Sequence, residues 1–164
     1  MSYLERVLSK LFHMEDLTPE QDGSYLLRWT LWASKTTGRR VYLHKIMATD
    51  WAREPHDHPK DFTSIGLSGR YTEEIYQVVE DYSFDSFDFV AAKRLVLKEE
   101  QEYRAPWFRR FPAKTIHRLR IVEGETCWTL VYTGQLVQPW GFFLPDGTKE
   151  MYIDFMKRKF GWSI

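Results

Sequence analysis

Polar and apolar positions alternate along much of this chain. Tyr25, Leu27, Trp29 and Leu31 alternate with Leu26, Arg28, Thr30 and Trp32, a period of two that predicts a strand with both faces largely covered. Thr37 and Gly38 supply a turn, and residues 41–47 run as the returning strand. Residues 62–71 predict another strand, where Gly66 and Gly69 mark bulges or bends. Strands are also expected over 74–79, 87–97, 102–106, 115–122 and 126–133, with Gly124 turning the last pair, and over a short edge at 140–144. Two segments depart from this period. Tyr3, Leu4, Val7, Leu8, Leu11 and Phe12 recur at helical spacing behind Ser2 and Glu5, whose separation suits a capping box. A second helix is expected within 149–160. Residues 18–23 and the proline-broken stretch 50–59 read as loops.

Many short strands separated by turns roughly every 8–12 residues point to an all-β sandwich or barrel. Helices do not alternate with strands, so a parallel α/β sheet is not expected. With 164 residues, no internal repeat and no linker, the chain reads as one domain over 1–164, with a barrel core at about 24–144. Aromatic residues make up 16% of the chain, a share that suits a β-rich core or a lined cavity.

Charge and cysteine content narrow the function. Twenty-three basic residues balance 23 acidic ones, so there is no electrostatic footprint for nucleic acid or an anionic membrane. Cys127 is the sole cysteine, which rules out an intrachain disulfide and Cys-rich zinc sites and fits a reducing compartment. Glu5, Arg6 and Lys10 place charges where a signal peptide would be apolar, and no run approaches the ~18 apolar residues of a membrane span. A cytoplasmic protein acting on a small molecule is expected, with neither nucleic acid nor membrane as partner.

The candidate chemistry lies in the histidines. His56 and His58 flank Asp57, and in an extended segment side chains two apart point the same way. Two imidazoles so placed can share a borderline metal ion if a third ligand arrives from elsewhere. His117, at the start of a later strand, is the candidate. Asp61 is the nearest carboxylate; strict alternation turns it away from His58, and it joins the set only if the chain bends at Pro59. Three histidines alone, or three with Asp61, both remain open.

The run His56-Asp57-His58-Pro59-Lys60-Asp61-Phe62, then Gly69, then Pro112 to His117, resembles the two motifs of the cupin superfamily. The longer string from Tyr42 to Glu73, with Trp140-Gly141-Phe142, is similar to a group of uncharacterised bacterial and phage-type cupins. The resemblance implies a double-stranded β-helix (jelly-roll) barrel and His56, His58 and His117 as metal ligands. It departs from the superfamily pattern at the carboxylate, since Phe62 and Thr63 stand where a Glu is usual. It implies a metal-dependent enzyme, an Fe(II) dioxygenase first of all, with Zn, Mn or Ni as other occupants. A non-redox isomerase, epimerase or hydrolase and a non-catalytic binding protein are the rivals. Barrels of this type often pair, so a homodimer is open.

Other polar residues are weighed against plain structural roles. His44 shares a strand face with Tyr42 and Ile46 and reads first as a bonded core residue, or else as a substrate contact. Arg109 and Arg110, among Tyr103, Trp107 and Phe108, read as a solvated loop or as a cavity rim that clamps an anionic substrate. Tyr71 lines the core or the pocket. Glu73 and Glu74 read as surface charges at a strand end, Cys127 as inert core, and His13 as a cation favouring the C-terminus of the first helix.

Overall fold

The computed structural model describes residues 2–17, 25–50, 52–85 and 88–161. The loop expected over 18–23 and the strand start expected at 87 lie outside them. Along the chain run α1 (Tyr3–Leu11), β1 (His13–Asp16), β2 (Leu26–Ala33), β3 (Arg40–Ile46), β4 (Lys60–Ser68), β5 (Arg70–Asp85) and β6 (Asp88–Arg104). They are followed by β7 (Trp107–Phe111), β8 (Ile116–Arg120), β9 (Cys127–Leu136), β10 (Gly141–Phe143), β11 (Lys149–Met151) and α2 (Tyr152–Phe160).

Two sheets face each other. The larger has the order β1-β2-β3-β9-β4-β7; opposite it stand β6-β5-β8 and the pair β10-β11. His56 joins these two pieces, bridging to His117 on β8 and to Phe142 on β10. All pairings are antiparallel. The architecture is the all-β jelly-roll of the cupin type.

Register decides which side chains share the interior. One row across the large sheet runs Arg28, His44, Thr129, Gly66 and Trp107; the next runs Thr30, Tyr42, Val131, Ser64 and Arg109. Because side chains alternate along each strand, both rows face one way. Leu26, Ile46, Tyr71 and Cys127 close one end of the interior as a buried apolar cluster. Gly66 is required there, since a Cβ at that position would run into the Trp107 indole.

The opposite face of the large sheet is covered by α1. The capping box is present, Ser2 and Glu5 exchanging backbone-to-side-chain bonds at 2.8 and 3.3 Å. Glu5 reaches Lys45 Nζ at 2.6 Å, and Ser9 Oγ accepts from the buried Trp29 indole at 3.0 Å. Tyr3, Leu4 and Leu11 nevertheless stay exposed, so the helix uses only part of its apolar stripe.

Several sequence expectations change. The strand expected over 62–71 splits at Gly69, whose φ of 81° favours glycine. The pieces expected over 87–97 and 102–106 are one strand of 17 residues, paired along its length with the 16-residue β5. Residues around Arg109 form β7 against β4 rather than a loop; their register partners, invisible from local pattern, decide this. His13, which follows the C-cap of α1, opens β1 opposite Thr30 and is exposed.

Candidate metal centre

The His-x-His segment is held from both sides by its backbone. His56 N–H donates to His117 O, and His117 N–H to His56 O, both at 2.9 Å; His58 N–H donates to Ala113 O at 2.9 Å. Asp57, between the two histidines, points the other way and is buried. Its carboxylate accepts from Gly141 N–H at 2.9 Å, Gln138 Nε2 at 2.9 Å and Lys149 Nζ at 2.6 Å. The alternation that turns His56 and His58 inward thus turns Asp57 onto the segment that covers them.

The result is a convergence of three imidazoles. One nitrogen of each of His56, His58 and His117 lies within 4.8 Å of the others. His58 Nε2 and His117 Nε2 are 2.6 Å apart. Phe62 packs edge-on against His58 (ring centroids 4.8 Å), Phe111 lies tilted against His117 (5.0 Å), and Trp140 and Phe142 flank His56. Burial holds the pKa values of His58 and His117 well below the ordinary histidine value, and their neighbouring imidazoles push the same way. Both are therefore neutral, the state that offers a lone pair to a metal.

The donor set fits an ion. His117 Nδ1 lies 2.7 Å from Glu73 Oε1, which leaves Nε2 as the nitrogen turned toward His58. The buried Nδ1 of His56 has no hydrogen-bond partner. Two nitrogens on one ion at about 2.1 Å stand roughly 3.0–3.4 Å apart, so His58 and His117 need separate by less than about 1 Å.

Glu73 is the residue that sequence reasoning missed. It is 1% exposed, not a surface charge, and pairs with both His117 and Arg109. Its signal was a carboxylate on the face of Tyr71 and Ile75, which point into the barrel. Glu74 points the opposite way but is also buried, gripped by Arg118 at 2.6 Å and Arg120 at 2.8 Å.

The remaining candidates divide. Asp61 stands outside the histidine cluster: it is exposed, and its carboxylate accepts from Ala113 N–H at 2.7 Å. The chain does not bend it inward after Pro59. Arg109 faces the interior but is committed to Glu73, with its guanidinium over the rings of Tyr103 and Phe111. Arg110 alternates outward and is exposed. His44 faces the interior, accepts from Arg28 Nε at 3.1 Å, and is kept neutral by burial and then by the Arg28 charge. Tyr71 is buried edge-on against Trp107. A depression of about 650 Å³ around Gly69, Arg70, Arg104 and Glu125 includes none of the three histidines.

No family model and no curated protein matches the sequence. Solved structures do match the fold. Fe(II)-HppE with the alternative substrate (S)-1-HPP aligns at TM-score 0.53 and 8% identity, over 76% of this chain and 56% of its own. The DMSP lyases RdDddP and RnDddQII align at 0.52 and 13%, over 81% and 63%. An RmlC-like cupin protein from Ralstonia eutropha JMP134 aligns at 0.51 and 13%, over 90% and 78%. The chain thus spans little more than half the length of HppE. At such identities the likeness is one of fold, and it defines a cupin-type barrel with a three-histidine cluster that could hold a metal. Among the described residues, no helix is long and apolar enough to cross a membrane.

Proposed function

We propose that this chain is a metal-dependent enzyme in which His56, His58 and His117 hold one divalent ion, Fe(II) by preference, and which oxidises a small polar molecule with dioxygen. The observation that carries the reading is the His117–Glu73 contact at 2.7 Å. A buried carboxylate that fixes the tautomer of a neutral histidine, leaving its other nitrogen aimed at two more imidazoles, is the support a metal ligand needs.

Bound there, Fe(II) would supply redox chemistry and coordination positions free for substrate and oxygen. The chain's own residues set the conditions. Phe62, Phe111, Trp140 and Phe142 wall the histidines with apolar surface that keeps bulk water out. Three neutral ligands leave the ion's full charge uncompensated, which favours an anionic co-ligand. Arg109 pairs with Glu73, whose other oxygen faces His117 Nδ1. That one of the structures of like fold is an Fe(II) protein supports iron.

Three imidazoles also suit zinc, which favours Lewis-acid isomerisation or hydrolysis as the second reading. Purification without oxygen, followed by elemental analysis and oxygen-uptake assays on small organic acids, separates the two. About one equivalent of iron with substrate-dependent oxygen uptake is expected. Stoichiometric zinc, with turnover indifferent to anaerobiosis, would overturn the iron reading.

A further inference from the structure

Arg28, Arg70, Arg109 and Arg118 are the half-buried arginines among the described residues. Three of them face a carboxylate: Arg70 meets Glu125, Arg109 meets Glu73 and Arg118 meets Glu74. Arg28 meets none. Its described contacts are a hydrogen bond from Nε to His44 Nε2 at 3.1 Å and a position over the Tyr42 ring, 4.7 Å from the centroid. The acid directly across on β1, Glu15, favours its charge from a distance but makes no ion pair with it, and lies 3.9 Å from His13 Nε2 at the rim.

This cation faces the interior. Arg28 lies in the same inward row as His44, Thr129, Gly66 and Trp107, one row from Arg109. Its Nε touches His44 Nε2 at 3.1 Å from within that row. A largely buried guanidinium that no carboxylate contacts directly is costly unless an anion arrives.

We propose that Arg28 is the anchor for the carboxylate of a small organic acid, which is the substrate class of the site; this rests on the metal-dependent reading above. Nε is occupied by His44, so the Nη1–Nη2 edge remains to take two carboxylate oxygens in parallel. Tyr42 supports the guanidinium from below, and Arg40 Nη1 donates to the Tyr42 hydroxyl at 3.1 Å. His44 is a positioning residue: by accepting from Nε it aims the fork. A neutral amide of the same shape brings no charge to the guanidinium and should be refused.

The test is binding of acetate, glycolate, lactate and malonate, each against its amide, to the full chain in metal-free and Co(II)-loaded forms, read by calorimetry and, in the loaded form, by the Co(II) visible spectrum. Arg28→Gln, Arg28→Lys and the outward-facing Arg110→Gln are compared with the native chain. At least one carboxylate should bind and its amide should not. Arg28→Gln should weaken that binding by about 10-fold or more, Arg28→Lys should weaken it by less, and Arg110→Gln should leave it unchanged. Should Arg28→Gln not fold, Arg28→Lys carries the comparison, because it keeps the charge and loses the fork. If no carboxylate binds either form, or the Arg28 variants bind as the native chain does, the anchor is refuted. Carboxylate binding that depends on Arg28 in a chain that takes up no Co(II) would keep the anchor and overturn the metal reading.

Discussion

The backbones of His56 and His117 bond to each other in both directions, each N–H donating to the other's carbonyl at 2.9 Å. Sixty-one positions apart in sequence, they thereby become directly opposed residues of one antiparallel pair, with side chains on the same side. The link is made by main chain, so it survives loss of either imidazole. His117→Ala should therefore keep the fold while metal bound per chain drops to a small fraction of the native value. Elemental analysis beside a circular dichroism spectrum checks this; retained stoichiometric metal would remove His117 from the ligand set.

Glu73 fixes His117 from behind. Substituting it by Gln keeps the volume but removes the charge that holds the proton on Nδ1. Metal affinity should fall by about 10–100-fold, the usual effect of removing such a support. Competition with a chelator of known affinity measures it, and an unchanged constant would make the contact incidental.

Arg109 neutralises a carboxylate that is 1% exposed. Arg109→Ala leaves the buried Glu73 without its guanidinium partner and with only His117 beside it, which should cost about 3–5 kcal/mol in urea unfolding. Truncating Arg110, which is exposed, should change stability by no more than about 0.5 kcal/mol. Equal effects would mean that the ion pair has no special weight.

Asp57 ties the histidine segment to Gln138, Gly141 and Lys149. Asp57→Ala removes three bonds to a charged acceptor, each contributing about 1.5–3 kcal/mol net. Amide exchange should accelerate across 138–151 ahead of the remaining barrel, as seen by hydrogen–deuterium exchange. Uniform acceleration along the chain would contradict the tether.

The buried Glu5 is held below the ordinary carboxylate value of 4.5, first by the hydrogen bond from Lys45 and also by the Ser2 amide, against the opposing effect of burial. A carboxylate with a lowered folded-state pKa contributes stability above its unfolded value, and that contribution is lost as pH falls through the folded one. Urea midpoints of the native chain should therefore fall more steeply below about pH 4.5 than those of Glu5→Gln. Parallel curves would show that the pair is not coupled to folding.

Local physics decided much of what the chain discloses by itself. The period of two in Leu26–Ala33, the capping-box spacing of Ser2 and Glu5, and the alternation that puts His56 and His58 on one side all follow from rules that act over a few residues. Motif resemblance points to His117. What the tertiary structure alone decided is which faces meet. Glu73, Arg109 and Arg28 are residue types common as surface charges, and only register across strands distant in sequence makes Glu73 a support for His117, Arg109 the partner of Glu73, and Arg28 an interior cation bonded to His44. Asp61 shows the reverse: near in sequence to His58, it is turned by the alternation of β4 toward the Ala113 amide. A side chain's charge is set by its own chemistry, but its burial and partners are set by segments that the local sequence does not encode.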